Sequence, residues 1–258
     1  MLYRWRYGVA LSTLLAKEIR RFSRIWIQTL LPAATTTALY CVIFGQLIGD
    51  RIGPVGGVGY AEFIVPGLVL MAVITNAYAN VVASFYSSKF QRHVEELLIA
   101  PVPDGVILAG YVAGGVARGV AVGLVVMGIA LGFTDVPIVH PGLTLLVFVL
   151  TATLFSLGGF INAVYANNFD DISLVPTFVL TPLTYLGGVF YSIDMLPPFW
   201  QHLSLLNPIL YMINAFRFGL LGHADINPLT ALAIVFALIA GLTYWALRLL
   251  KTGVGLKT

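Results

Sequence analysis

The sequence predicts an all-α, polytopic membrane protein with six transmembrane helices. Of its 258 residues, 59% are hydrophobic and only 10% are charged, which is too little charge to coat a soluble globule of this size. A transmembrane helix needs about 20 mostly apolar residues. Six segments meet that need, and they lie at 28–49, 62–84, 106–133, 142–166, 172–191 and 228–250. We treat 1–258 as one transmembrane domain, with spans one to five inside 28–191 and span six at 228–250.

The distribution of lysine and arginine orients these spans. Cytoplasmic loops of membrane proteins carry an excess of both residues. If the N-terminus is cytoplasmic, eleven of the 14 basic residues lie on that side, and only Arg51 and Arg217 lie on the other. We therefore expect both termini in the cytoplasm. The net charge of +3 then reflects a cytoplasmic membrane face and does not indicate nucleic acid binding.

The segment 6–26 precedes the first span and has its own pattern. Its apolar residues recur every three or four positions, and its basic residues fall between them, so a helix here is amphipathic and basic. We predict that it lies at the inner membrane surface, either as an anchor alone or also in contact with a cytoplasmic partner. The apolar positions are Leu11, Leu15, Ile19, Phe22 and Trp26, and the basic ones are Lys17, Arg20, Arg21 and Arg24.

The stretch 192–219, between spans five and six, is too interrupted to cross a bilayer as one helix. Proline removes a backbone donor and restricts the residue before it. Aromatic and aliphatic residues nevertheless recur there at helical spacing, which suits short helices at a membrane interface. We predict a re-entrant outer helical hairpin whose two ends face the same side. Its defining residues are Pro197, Pro198, Trp200, Asn207 and Pro208.

A charged segment lies in the predicted inner loop between spans two and three. Ser88 and Pro101 mark its ends, because serine caps a helix start and proline stops a helix. Arg92 precedes Glu95 and Glu96 by three and four residues, a spacing that allows ion pairs along a helix. Taken alone, such a helix is most often a solvated connector.

The chain lacks the residue patterns of a catalytic or metal site. Cys41 is the single cysteine, and the four histidines show no metal-ligand spacing. Neither a Gly-x-x-x-x-Gly-Lys-Ser/Thr nucleotide loop nor a Gly-x-Ser-x-Gly nucleophile turn occurs. We expect no catalytic residue, cofactor or metal on this chain, so any ATP hydrolysis must take place on another one.

Three further features lie inside the predicted spans. Gly115, Gly119 and Gly123 recur at four-residue intervals in span three, which favours close packing within the protomer or, second, a dimer contact. Arg118 lies among them, and we interpret it as reaching the inner surface, with pairing inside the bundle as the alternative. Spans one and five carry threonine and aromatic residues, although threonine in a membrane helix most often bonds its own backbone. The residues singled out are Thr36, Tyr40, Phe44, Thr177, Thr181 and Tyr185.

The order of these elements resembles that of ABC transporter permeases of the type 2 exporter class. It runs from the amphipathic helix through two spans, the charged inner helix, three more spans and the proline-rich outer hairpin to the sixth span. The resemblance covers essentially the whole chain. Four strings carry it at residue level: FIVPG at 63–67, TNAYAN at 75–80, DDISLVPTF at 170–178 and TPLTY at 181–185.

This resemblance implies a permease subunit of an ATP-driven exporter in a bacterial inner membrane. It implies a second copy of the chain and two copies of a cytoplasmic ABC ATPase that holds ATP and Mg. Spans one and five would flank a passage for an amphipathic, lipid-linked or drug-like substrate, and membrane lipid would surround it. The inner loops would contact the ATPase through Lys89, Arg92, Glu95, Glu96, Asp170 and Asp171.

Two other classes remain as alternatives. A secondary transporter would need paired ionisable groups inside the membrane for ion coupling, and Arg118 has no obvious partner in the sequence. A membrane-embedded enzyme acting on a lipid would need acidic or histidine side chains that converge at one depth, whereas the acids here fall mainly in loops.

Overall fold

The computed structural model describes residues 2–256, which form an all-helical bundle without a β-strand in that range. Two π-helical segments, Cys41–Leu47 and Pro176–Leu180, and one 3-10 turn, Ile193–Met195, interrupt the α-helices. The α-helices are α1 (Leu2–Arg24), α2 (Trp26–Tyr40), α3 (Gly49–Ile52), α4 (Tyr60–Phe90), α5 (His93–Ile99), α6 (Asp104–Leu131), α7 (Pro141–Tyr165), α8 (Asp171–Val175), α9 (Thr181–Tyr185), α10 (Pro198–Ser204), α11 (Pro208–Leu221) and α12 (Pro228–Thr252).

Five helical segments are long and apolar enough to cross a membrane, so the chain is a multi-pass membrane protein. Spans one, two, three, four and six are confirmed as such segments. α4 is 31 residues long and continues to Phe90, well beyond the predicted end of span two at Ser84. The five segments are Trp26–Gly45, Tyr60–Phe90, Asp104–Leu131, Pro141–Tyr165 and Pro228–Thr252.

The predicted fifth span is too long. Its helical part runs from 171 to 185 and ends at a turn in which Gly188 has a φ of 79°, a conformation that favours glycine. At 1.5 Å per residue these 15 residues reach only about 22 Å, against about 30 Å for a hydrocarbon core. Pro176 and Pro182 lie in this segment, and neither can donate a backbone hydrogen bond. A sixth crossing of full length exists only if α10 and α11, which meet at 88°, are counted together.

α11 lies inside the bundle. Most of its residues belong to the segment 192–219, which is predicted to lie at a membrane interface. Asn207 caps its first turn by accepting from the Ile209 amide at 3.0 Å. Arg217 is 2% exposed, donates to the Gly188 carbonyl at 2.8 Å and stacks over the Phe63 ring at 3.8 Å. These partners are remote in sequence, and they hold α11 between α4 and the end of the fifth helical segment.

The N-terminal helix α1 packs against α6 through a face that the amphipathic pattern did not indicate. Gly110 and Gly114 leave room for Leu14 and Glu18, since a Cβ at Gly114 would come within 2.5 Å of the Glu18 Cβ. Ile19 is exposed, as is Trp26 at the start of α2. Polar residues of α1 therefore face the bundle, and part of its apolar stripe is left outside it.

The glycines of α6 pack within the protomer, as the first of the two interpretations held. A Cβ at Gly115 would meet Val81 of α4 at 2.5 Å, and one at Gly119 would meet Ala77 at 2.9 Å. α7 approaches α4 equally closely, with Gly159 directly against the backbone of Tyr78. Small residues thus bring α4, α6 and α7 together as the centre of the fold.

Two adjacent glycines of α7 give a sharp test of this packing. A Cβ at Gly159 would lie 2.6 Å from the Tyr78 carbonyl oxygen, whereas one at Gly158 would meet only the Tyr78 ring at 3.8 Å, an ordinary contact. We expect Gly159→Ala to destabilise the protein by about 1–3 kcal/mol, because the backbone of α4 must shift. Gly158→Ala should be neutral or slightly stabilising. Melting temperatures of the purified proteins in the same detergent provide the measurement, and equal values for both variants would contradict the packing.

Candidate coupling surface, passage and outer hairpin

The charged segment between α4 and α6 is two pieces, not one helix. α4 ends at Phe90, and Arg92 then adopts a left-handed conformation with a φ of 63° before α5 begins. Glu95 and Glu96 are exposed in the first turn of α5. The predicted ion pairs between Arg92 and Glu95 or Glu96 are wrong, because Arg92 lies before α5 rather than in it. Among the described residues, the salt bridge is the one between Arg21 and Glu18.

Lys89 has a structural role that its charge did not reveal. Its Nζ donates to the carbonyls of Val164 and Ala166, both at 2.7 Å, and so satisfies carbonyl groups at the end of α7. The Phe169 ring packs between those of Tyr86 and Phe90, at centroid distances of 4.9 Å from Tyr86 and 5.2 Å from Phe90. The two predicted ATPase-contacting loops are therefore tied to each other.

The acidic pair after α7 shapes the loop that leads into α8. Asp171 accepts from the amides of Asn167 at 2.8 Å and Asn168 at 3.3 Å, while its own amide donates to Asn168 Oδ1 at 2.8 Å. Asp170 is the residue before α8 and is exposed. Of the six predicted coupling residues, Arg92, Glu95, Glu96 and Asp170 are the exposed ones, whereas Lys89 and Asp171 organise the loops.

Aromatic residues bring the first and fifth helical segments together. The hydroxyls of Tyr40 and Tyr185 are 3.2 Å apart. Phe190 lies beside both rings and 5.3 Å from that of Phe44. Three of the six predicted lining residues therefore meet in one cluster, and Phe190 completes it. We call Tyr40, Phe44, Tyr185 and Phe190 the aromatic cluster.

The three predicted lining threonines, Thr36, Thr177 and Thr181, lie outside the aromatic cluster. Thr181 donates to the carbonyl of Pro176 at 2.9 Å, five residues earlier, which is a helix-internal bond of the π-helical turn. Thr177 is exposed on the same segment. Thr36 is also exposed and lines a cavity between α2 and α4 that includes Tyr40.

The predicted outer hairpin is divided by its prolines into unlike halves. Pro197 and Pro198 begin the short helix α10, on which Trp200 is 46% exposed. Asn207 and Pro208 begin the buried α11, and Asn207 Nδ2 donates to the Leu183 carbonyl at 2.6 Å.

The start of the hairpin meets the loop that follows α11. The Ile193 amide donates to Asp225 Oδ2 at 3.1 Å, and the Asp225 amide donates to Asn214 Oδ1 at 2.9 Å. The chain therefore returns at Asp225 to the point from which it left at Ile193.

Arg118 points into the bundle. Its Nη2 lies 3.4 Å from Asn76 Oδ1 on α4. At the helical rise of 1.5 Å per residue, Arg118 lies about 21 Å along α6 from Asp104, where that helix begins. This geometry differs from the favoured interpretation, in which the side chain reaches the inner surface. It agrees with the alternative, pairing inside the bundle, with the side-chain amide of Asn76 as the partner.

Several residues that organise these regions carried no signal in the sequence. Glu18 and Phe190 belong to no motif, and Asn80 stands out only as the last residue of a family string. The contacts Glu18–Asn80 and Tyr40–Phe190 join residues far apart in the chain. The one hint for Glu18 in the sequence is that it is an acidic residue in a basic helix. Its burial is costly without partners, and those partners are known only from the structure.

Comparisons with known proteins cover almost all of the chain. Residues 9–221 match the family model described as ABC-2 type transporter. Inner membrane transport permease YadH of Escherichia coli (strain K12) is 57% identical over 252 residues, which is 98% of this chain and 98% of that protein. Nodulation protein J of Rhizobium leguminosarum bv. trifolii is 28% identical over 193 residues, or 73% of this chain and 72% of that protein.

These matches confirm the family that the strings and element order indicated. They also agree with a chain whose described residues are helical and include five membrane-spanning segments. The chain belongs to the ABC-2 type transporter family and is a membrane permease, not an enzyme.

Proposed function

We propose that this permease is the membrane subunit of an ATP-driven exporter. Two copies of the chain would form the passage, and two copies of a cytoplasmic ABC ATPase, which binds ATP and Mg, would drive it. The membrane would be a bacterial inner membrane, as the name of the 57% identical relative states for that protein. The cargo would be amphipathic, lipid-linked or drug-like.

A series of contacts from the end of α4 to the fifth helical segment supports this proposal. α5 follows α4 directly, and the end of α4 holds Phe169 between Tyr86 and Phe90. Phe169 lies two residues before α8, so a displacement of α5 moves the start of the fifth helical segment. At the other end of that segment, Tyr185 meets Tyr40.

Opening would then separate the two tyrosines at the far end. A tilt of the segment 171–185 pulls Tyr185 away from Tyr40 and from Phe190, the third ring at that contact. The Tyr40–Tyr185 hydrogen bond is neutral and partly exposed, so breaking it costs only about 0.5–1.5 kcal/mol.

The first and fifth helical segments also offer the apolar surface that a second copy needs. Large side chains there are exposed, including Leu31, Leu39 and Phe178, the last at 72%. We propose that the two copies meet along these segments and that the passage lies between them. Thr36 and Thr177 are exposed on the same segments.

The proposed orientation places α1 and both termini in the cytoplasm. Ile19 and Trp26 are exposed and suit insertion into the inner leaflet, while Glu18 and Arg21 contact the bundle. The hairpin 192–219 would enter from the outside and return there. The contact between Ile193 and Asp225 supports this, because the start of the hairpin lies beside the loop that follows it.

Charge reversal on α5 tests the coupling role. Glu95→Lys with Glu96→Lys should weaken ATPase binding at least about tenfold, because like charges across an interface cost several kcal/mol. Both side chains are exposed, so the fold should be unaffected. Co-purification with the partner ATPase and the ATPase rate of the complex provide the measurements.

The exposed Asp135, in the α6–α7 loop on the opposite side in the proposed orientation, offers a matched control. Asp135→Lys makes the same type of change and should leave ATPase binding intact. If the α5 double variant binds the ATPase and supports its turnover like the parent protein, α5 is not the coupling helix.

Cysteine labelling tests the re-entrant hairpin. In a Cys41→Ser background, Asp194→Cys and His223→Cys should both react with a membrane-impermeant thiol reagent applied outside intact cells, since both positions are exposed. Ile99→Cys, which is 85% exposed on α5, should react only after permeabilisation. Labelling of positions 194 and 223 from opposite sides would mean that the hairpin crosses the membrane.

A further inference from the structure

Two cavities share Arg118 as a lining residue. One, of about 360 Å³, has a wall of mixed character, in which Gln28, Thr36, Tyr40 and Asn76 stand among aliphatic side chains. The other, of about 280 Å³, has a largely apolar wall that includes Phe22, Trp26, Leu30 and Val122. Arg118 and Thr29 line both, so the two spaces adjoin at these two residues.

The charge of Arg118 has no counter-ion in the described part of the chain. Its strongest contact is the long one to Asn76, and its buried Nε has no hydrogen-bond partner. Among the described side chains, no carboxylate lies within 4.0 Å of it. Glu18 already accepts from Arg21, Asn80 and Ser84, so that carboxylate is not available.

A cation in this position is costly to keep. An ionisable side chain inside a membrane bundle normally pairs with an opposite charge or marks a ligand path. Simple exposure to water at the inner surface would explain Arg118 without a ligand, but its head group turns toward α4 and lines two cavities instead. The chemistry that satisfies an open guanidinium is a phosphate or a carboxylate, which accepts paired hydrogen bonds.

We propose that Arg118 binds the anionic head group of an amphiphile. The head group occupies the part of the larger cavity lined by Arg118, Gln28 and Asn76, and the start of its apolar chain occupies the cavity beside Trp26. This inference rests on the proposed transport function and deepens it, because it gives the cargo a negative charge. The combined space is within the range of ligand pockets, about 300–1,000 Å³.

Trp26 provides a direct optical test in the isolated permease. Lipids brominated on their acyl chains quench tryptophan at contact, and Trp26→Phe identifies the part of the signal that belongs to this site. In phosphatidylcholine nanodiscs, brominated phosphatidic acid should quench Trp26 with about tenfold higher apparent affinity than brominated phosphatidylcholine, as charge-assisted hydrogen bonds would give.

Variants at Arg118 separate charge from structure. Arg118→Gln should abolish the preference for phosphatidic acid, and Arg118→Lys should keep most of it. Arg51→Gln removes an exposed charge elsewhere and should leave the preference unchanged. Equal quenching by both lipids in the parent protein, or a preference that survives in Arg118→Gln, would overturn the inference.

A free anion is distinguished by competition. Millimolar inorganic phosphate should not displace brominated phosphatidic acid, and full displacement would show a site for small anions, contrary to the inference. Because no ATPase is present, a negative result here leaves the transport proposal standing. Conversely, the α5 variants should still bind the lipid if they lose ATPase coupling, because lipid binding is measured on the permease alone.

Discussion

The buried carboxylate of Glu18 holds the N-terminal helix to the rest of the protein. Glu18 is 1% exposed, and it accepts hydrogen bonds from Arg21, Asn80 and Ser84. A carboxylate at that depth is tolerated only when charge and hydrogen-bond partners surround it, so removing one partner costs far more than an exposed pair would. Gly114 supplies the space for Glu18 to enter. The positions of α1 against α6, and of α2 after it, follow from this one group.

The sequence predicts those parts of the fold that depend on local composition. Span positions and the interruption of the hairpin follow from apolar runs and from proline chemistry. The structure has five of the six spans near their expected bounds, although α4 continues past the predicted end of span two to Phe90. The family also follows from short strings. Features that depend on distant partners are not predicted. In the sequence, the residues of α11 resemble those of an interface helix. In the structure, Arg217 of α11 bonds the Gly188 carbonyl and stacks on the Phe63 ring, and the helix is buried.

The candidate sites divide in the same way. Exposed acidic residues on α5 are visible as a charged run, but the left-handed conformation of Arg92 is not, because it arises where α4 and α5 join. From the sequence Lys89 is expected to be a surface charge, although it donates to the carbonyls of Val164 and Ala166 at the end of α7. Tyr40 and Tyr185 are predicted as lining residues from their residue type and position. Phe190, which completes the cluster, is not, because within the predicted span 172–191 nothing in the sequence distinguishes it from other apolar residues; the turn at Gly188 places it beside the two tyrosines.

The short fifth helical segment has a consequence for the surrounding lipid. A helix of about 22 Å beside others of full length leaves a hydrophobic mismatch, and a bilayer meets such a mismatch by becoming thinner. The membrane is therefore expected to be thinnest along 171–185, next to the aromatic cluster. A lipid head group that moves between leaflets there has less hydrocarbon to cross, so the turn at Gly188 that ends this segment early also lowers the barrier for a lipid-like molecule.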